Sequence, residues 1–295
     1  MGKDVSFIGT SSFMNDANLM TMSRFDDEDS GHTFDKVGDY AFYNTAIKKA
    51  NLSLRSAGID NFWGDYCFAD CSNLEEVNIL SACYMSNHMF AGCKNLKKVN
   101  FKNSHTSYAY PNVFDGCTSL ESITIPSKIW YISEEMFKDC TSLKTVDFND
   151  YNISSSMTNL MQKNAFNGCN SMKSLSLPAS FNSFDCFDDA CLCNCSLTSL
   201  SIPGIPVSDV YDFDGFTDAV KKTGLFRLRH NCKLTCKDNQ TIDFTFNPSD
   251  EIPYVEPLDY NISVDTTTKL NFKTAYQQSS ANQFWWYYNA SELCA

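Results

Sequence analysis

One arrangement of apolar positions recurs along the middle of the chain: Phe-x-x-Cys-x-x-Leu-x-x-Val-x-Ile. It runs through Phe68, Cys71, Leu74, Val77 and Ile79, then through Phe90, Cys93, Leu96, Val99 and Phe101. It returns at Phe114, Cys117, Leu120, Ile123 and Ile125, at Phe137, Cys140, Leu143, Val146 and Phe148, and at Phe166, Cys169, Met172, Leu175 and Leu177. These phenylalanines are 22, 24, 23 and 29 residues apart. Val77 and Ile79 alternate with Glu76 and Asn78, which predicts a short strand with one buried face. A unit of this size cannot close a core by itself. Neighbouring units must therefore stack and bury one another's Phe and Leu, each adding one strand to a parallel sheet. At ~4.8 Å per strand, six or seven strands give a sheet about 30 Å long.

The pattern continues upstream. Val37-Gly38-Asp39-Tyr40-Ala41-Phe42 matches Trp63-Gly64-Asp65-Tyr66-Cys67-Phe68, and Ile132 to Phe137 is a looser copy. The coil ending at Phe42 continues as Ala46, Ala50 and Leu52 without the cysteine, and a degenerate last copy ends in Leu197, Leu200 and Ile202. Loops 80–89, 102–113 and 149–164 vary in length and are expected outside the ladder.

These units resemble the BspA-like leucine-rich repeat family, whose repeat reads Ile-Gly-x-x-Ala-Phe-x-x-Cys-x-x-Leu-x-x-Ile-x-Ile-Pro. Pro126, Pro178 and Pro203 stand where that pattern has its proline. The resemblance covers residues 34–204. It implies a repeat solenoid, with right-handed coils and a parallel β-sheet, followed by a small β-rich C-terminal region. It says little about function, because a repeat scaffold hosts many partners.

Outside the repeat the texture changes. Residues 1–33 read as an N-terminal cap or docking segment, with Phe7, Phe13, Leu19, Met14 and Met20 as its apolar residues. Within residues 205–247, Phe216 to Gly224 reads as a short helix closed by glycine. Phe226 to Cys236 and Ile242 to Phe246 then read as a hairpin around Lys237 to Gln240. Residues 248–295 hold a linker marked by Pro248, Pro253 and Pro257, and an aromatic end, Phe284-Trp285-Trp286-Tyr287-Tyr288. That end is either a lid on the last coil or an anchor for a partner, since Trp and Tyr dominate interface hot spots.

The net charge is −12. Residues 68–178 carry nine basic and ten acidic side chains, so the excess acid lies at the two ends. Without clustered Lys and Arg, tight binding to a phosphate backbone or an anionic membrane is not expected. No apolar run reaches the ~20 residues of a transmembrane helix. The opening Met-Gly-Lys-Asp-Val-Ser has no apolar signal core, which predicts cytoplasmic synthesis; Gly2 and Ser6 fit the loose myristoylation pattern.

The chain has 14 cysteines. Cys71, Cys93, Cys117, Cys140 and Cys169 share one repeat slot and should stack, buried and unpaired. Cys67 takes the small-residue slot of Ala41 and Ala165. Cys186, Cys191, Cys193 and Cys195 are weak candidates for zinc, weakened further by a Cys-x-Cys-x-Cys spacing that lacks the usual two to four intervening residues. Glu75, Lys97, Glu121, Lys144 and Lys173 share another slot and should form a charged column.

No nucleophile elbow, zinc-protease motif, phosphate loop or dinucleotide fingerprint occurs. The four histidines occupy unrelated slots, and the acidic run Asp26 to Ser30 lacks the glutamate that closes a calcium loop. The sequence therefore predicts a non-enzymatic protein-interaction and structural protein, without a cofactor or small-molecule substrate. Its partner is another protein in a larger assembly such as a phage virion. The alternative is an adhesion or recognition module for a host protein or glycan, with Tyr84, Tyr108, Tyr110, Trp130 and Tyr131 as contacts. A metal-dependent enzyme built on Cys186–Cys195 comes last.

Overall fold

The computed structural model describes residues 6–22, 33–54, 63–81, 84–102, 108–148, 151, 157–188, 190–211 and 231–244. Almost every strand pairs in parallel with its counterpart in the next repeat. In the main ladder β3 (Lys49–Leu52) pairs with β4 (Glu76–Ile79), and β4 pairs with β6 (Lys98–Phe101). Their register sets Ala50, Val77 and Val99 in one row and Leu52, Ile79 and Phe101 in another. Further along, β8 (Ser122–Thr124) pairs with β9 (Thr145–Asp147), and β10 (Ser174–Ser176) pairs with β11 (Ser199–Ser201).

A second ladder runs through the segments expected to be loops. β5 (Tyr84–Met85) pairs in parallel with β7 (Tyr108–Ala109), and β1 (Phe7–Ile8) pairs with β2 (Lys36–Val37). Single bridges extend it from Val37 to Trp63, from Ile132 to Met161 and from Met161 to Phe187. Loops 80–89 and 102–113 are thus only partly outside the ladder. Their two-residue strands are too short to register as an alternating pattern in sequence.

Between the ladders each coil makes the same tight turn around its phenylalanine. The N–H of Phe42 donates to Cys67, that of Phe68 to Met89, that of Phe90 to Val113, and so on to Phe166 and Cys191. Two positions per turn have a left-handed backbone. Two residues before the phenylalanine these are Tyr40, Tyr66, His88, Asn112, Glu135 and Asn164; two residues after it, Asn44, Asp70, Gly92, Gly116, Asp139 and Gly168. The second set is wholly Asn, Asp or Gly, the residues for which this conformation costs least.

The core follows from the turn. Phe42, Phe68, Phe90, Phe114, Phe137 and Phe166 are fully buried and stack in one column, with neighbouring ring centroids 5.1–5.7 Å apart. Beside them runs the thiol column. Cys71, Cys93, Cys117, Cys140 and Cys169 are buried and free of disulfides, as the repeat requires. Each thiol donates to the carbonyl of the phenylalanine one coil back, at 3.0–3.3 Å.

The ends of the array are less regular than the sequence pattern suggested, but they belong to it. Thr45 occupies the thiol slot of the first full coil, its hydroxyl donating to Phe42 O at 3.0 Å, and Ile47 fills the leucine slot one residue early. In the last copy Leu192 replaces the phenylalanine, and the Cys195 thiol donates to Phe166 O at 3.1 Å. Residues 6–22 form an incomplete coil ahead of residue 34. The Phe13 N–H donates to Ala41 O, and the Phe13 ring stacks on Phe42 at 5.3 Å.

At the far end β12 (Cys232–Thr235) and β13 (Thr241–Phe244) form the expected antiparallel hairpin. It is not separate from the repeat, because β12 also pairs in parallel with β11. The helix expected over 216–224 and the whole of 248–295 lie outside the described residues, whose one α-helical turn is Ser208–Tyr211.

Candidate interaction surface

In the second ladder Met85, Ala109 and Ile132 point inward and are buried. Strand alternation turns the preceding residues outward, and these are Tyr84, Tyr108 and Tyr131. Repeat stacking therefore sets three tyrosines from consecutive coils in one outward column. The Tyr108 ring is at the centre. It meets Tyr84 at 6.3 Å and Tyr131 at 5.4 Å, both nearly edge-on. Tyr110, two residues further along the same coil, lies 4.8 Å from Tyr108, and Trp130 lies 6.4 Å away. The Trp130 carbonyl is fixed by the hydroxyl of the buried Tyr151, at 3.2 Å.

All five aromatic residues proposed from sequence as a recognition surface thus form one cluster. Trp130 keeps 51% of its surface exposed, Tyr110 42% and Tyr84 41%. The neighbouring Tyr131 hydroxyl, together with burial, raises the pKa of the Tyr108 phenol.

The N-terminal candidates divide. Phe7 and Met20 are exposed by 59% and 53%, and Met14 is also exposed. Phe13 instead heads the phenylalanine column, half-buried against Phe42. The local signal was present in Ile8-Gly9-Thr10-Ser11-Ser12-Phe13, which copies the spacing of Val37 to Phe42. Trp285, Trp286, Tyr287 and Tyr288 lie outside the described residues.

The cysteine cluster does not converge. Cys195 belongs to the thiol column, and Cys191 fills the small slot of Cys67 and Ala165. The Cys193 carbonyl accepts from the Gly168 N–H in the turn. Cys186 precedes Phe187 of the second ladder but is buried, its thiol near Ser180 O and Asn182 Oδ1. Among the described residues no group of three His, Cys, Asp or Glu side chains is placed to hold a metal ion.

One regularity escaped the sequence reading. Tyr40, Tyr66 and His88 share the left-handed slot before the phenylalanine and stack face to face, at 4.9 and 4.4 Å. His88 is thus a repeat-slot residue. The visible signal was its place two residues before Phe90.

The model of the BspA type leucine rich repeat region matches the chain in six copies, over residues 1–110, 61–180 and 149–213. Among solved structures, a leucine-rich repeat protein of T. pallidum is similar at 21% identity, covering 58% of this chain and 69% of its own, with a TM-score of 0.37. A leucine-rich repeat protein from Bacteroides ovatus is similar at 19% identity, covering 70% of this chain and 67% of its own, with a TM-score of 0.28. No protein of curated function matches.

Proposed function

Because the chain belongs to the BspA-type leucine-rich repeat family, a scaffold suited to protein contacts, we propose that it is a non-enzymatic recognition module whose contact face is the aromatic cluster around Tyr108. One observation supports this above others. The repeat places its phenylalanines inside, yet over three consecutive coils it sets Tyr84, Tyr108, Tyr110, Trp130 and Tyr131 together on the outside. Tyr and Trp bring large contact areas with few rotatable bonds and carry polar tips that can hydrogen-bond a partner. The stacked ladder holds them in place, so little ordering entropy is lost on binding. A host protein is the first partner class and a glycan the alternative.

Selecting binders from a displayed protein library tests the reading, with Trp130→Ala/Tyr110→Ala as the counter-screen. The expected result is ligands that lose about 2 kcal/mol or more on the double variant, as at other aromatic hot spots. Ligands that bind wild type and variant alike would remove the aromatic face from consideration.

A second reading has its own observation. The terminal coil exposes three large apolar side chains, Phe7, Met14 and Met20, and where such residues adjoin they mark an interface. Through this end the protein would take its place in a larger assembly such as a virion. Phe7→Ser/Met20→Ser should then block incorporation while leaving binding at the aromatic face intact. No helix among the described residues is long and apolar enough to cross a membrane.

A further inference from the structure

A groove on the turn face, lined by none of the residues of the aromatic cluster, has a different chemistry. Its floor follows from what each coil places just after its phenylalanine. Phe42 is followed by Tyr43 and Asn44, and Phe137 by Lys138 and Asp139. Between them come Ala69, then Ala91 and Gly92, then Gly116, so the surface sinks across three coils. The depression has a volume of about 300 Å³ and is walled by Tyr43 and Tyr66. That is the lower end of the ligand-sized range, about 300–1,000 Å³.

Two carboxylates, Asp70 and Asp115, line it, and no basic side chain does. On the sheet face and at one turn, glutamates are matched by lysines. Glu75 pairs with Lys97, Glu121 with Lys144, Glu135 with Lys138, and Glu76 with Lys49 and Lys98. Asp70 and Asp115 have no such ion pair among the described residues. One Asp70 oxygen accepts the Tyr43 hydroxyl at 2.6 Å. Asp115 is partly buried, and its desolvation pushes its pKa up against the pull of Lys138, whose ammonium lies 3.0 Å from Glu135.

We infer that this groove receives a cationic side chain of a partner protein, arginine above all. The guanidinium can lie across the small Ala91–Gly92 floor and present its planar fork to Asp115, while its methylenes pack along the Tyr66 edge. Both faces of Tyr66 are already covered by Tyr40 and His88, so the ring acts as a wall and not as a stacking platform. The partner supplies the basic group that the lining of the groove lacks.

The test is an NMR titration of the whole chain with a capped Gly-Arg-Gly peptide and its neutral citrulline counterpart. The expected result is saturable shifts at the Gly92 and Gly116 amides, with citrulline weaker by about tenfold, the worth of one charge-assisted hydrogen bond. Ala91→Leu fills the floor without changing the charge and should abolish the shifts. Asp115→Asn keeps the volume and should weaken them, whereas Glu134→Gln, an equal charge change elsewhere, should not. Thermal melts establish that each variant is folded. Equal binding of citrulline, binding that survives Ala91→Leu, equal effects of the two charge changes, or no saturable shift in the millimolar range each overturn the inference.

Discussion

The thiol of Cys93 donates to the carbonyl oxygen of Phe68, one coil back, across 3.0 Å. The same contact recurs along the column, so the cysteine fastens successive turns as well as filling space. Thr45, in the same slot of the first full coil, donates instead to Phe42 O of its own coil and lies 3.3 Å from the Cys71 sulfur. Cys117→Ala should therefore cost about 1–3 kcal/mol, combining a small cavity with a lost hydrogen bond, and Cys117→Ser should cost less. Urea unfolding of the two variants gives the comparison. Equal losses would mean that the sulfur only fills space.

The buried thiols also set a response to alkaline pH. Burial raises the pKa of Cys71 to about 11 and shifts Cys93, Cys117 and Cys169 upward in the same direction. In the unfolded chain these thiols ionise near their ordinary value of 9.0. The folded pKa values are raised, so their contribution is fully present below pH 9 and declines as pH climbs toward the folded values. The urea midpoint should fall from about pH 9 upward. In the native state at pH 8 these thiols should not react with a disulfide reagent, and they should react at once in urea. Rapid native-state labelling of Cys93 or Cys117 would contradict the burial.

Phe90 and Phe114 have a ring stacked on each side, whereas among the described residues Phe13 stacks on one, Phe42. Phe114→Ala should cost about 3–5 kcal/mol, and Phe13→Ala clearly less. Denaturant midpoints of the two variants check the order. A Phe13 substitution as damaging as the central one would mean that the first coil is tightly enclosed.

Gly92 illustrates why some turn positions admit no side chain. Its φ is +72°, and an added Cβ would lie 2.1 Å from the Asp70 Oδ1 atom. Gly92→Ala should destabilise by more than about 1 kcal/mol, adding a steric clash to left-handed strain. Adding Asp70→Ala should recover the part due to the clash and leave the strain. A double variant no better than the single one would assign the whole cost to the backbone.

Much of this was legible because the repeat keeps a fixed spacing between Phe68 and Ile79, and it does so again from Phe90 to Phe101. The charged column was legible too: Lys97 and Lys144 do face Glu75 and Glu121. Where the chain shortens by one residue, as between Thr45 and Ile47 or between Cys195 and Leu197, the pattern slips although the packing does not. The second ladder was hidden because strands of two residues, such as Tyr84–Met85, have no period to read. The groove was hidden for another reason. It is made by what Ala69, Ala91 and Gly116 lack, and absent atoms leave no mark in a hydropathy pattern.

The left-handed turn seats have a consequence for chemical synthesis. At Gly116, φ is +70° and the added methyl of an L-residue would meet only ordinary contacts. The obstacle to a side chain there is thus chirality, not space. A D-amino acid prefers this half of conformational space, as it does in designed hairpin turns. D-Ala at Gly116 should hold the native turn while removing freedom from the unfolded chain, raising the melting temperature, whereas L-Ala should lower it. The place two residues after each phenylalanine is thus a seat for a mirror-image residue, filled by biosynthesis with the achiral or tolerant members of its own alphabet.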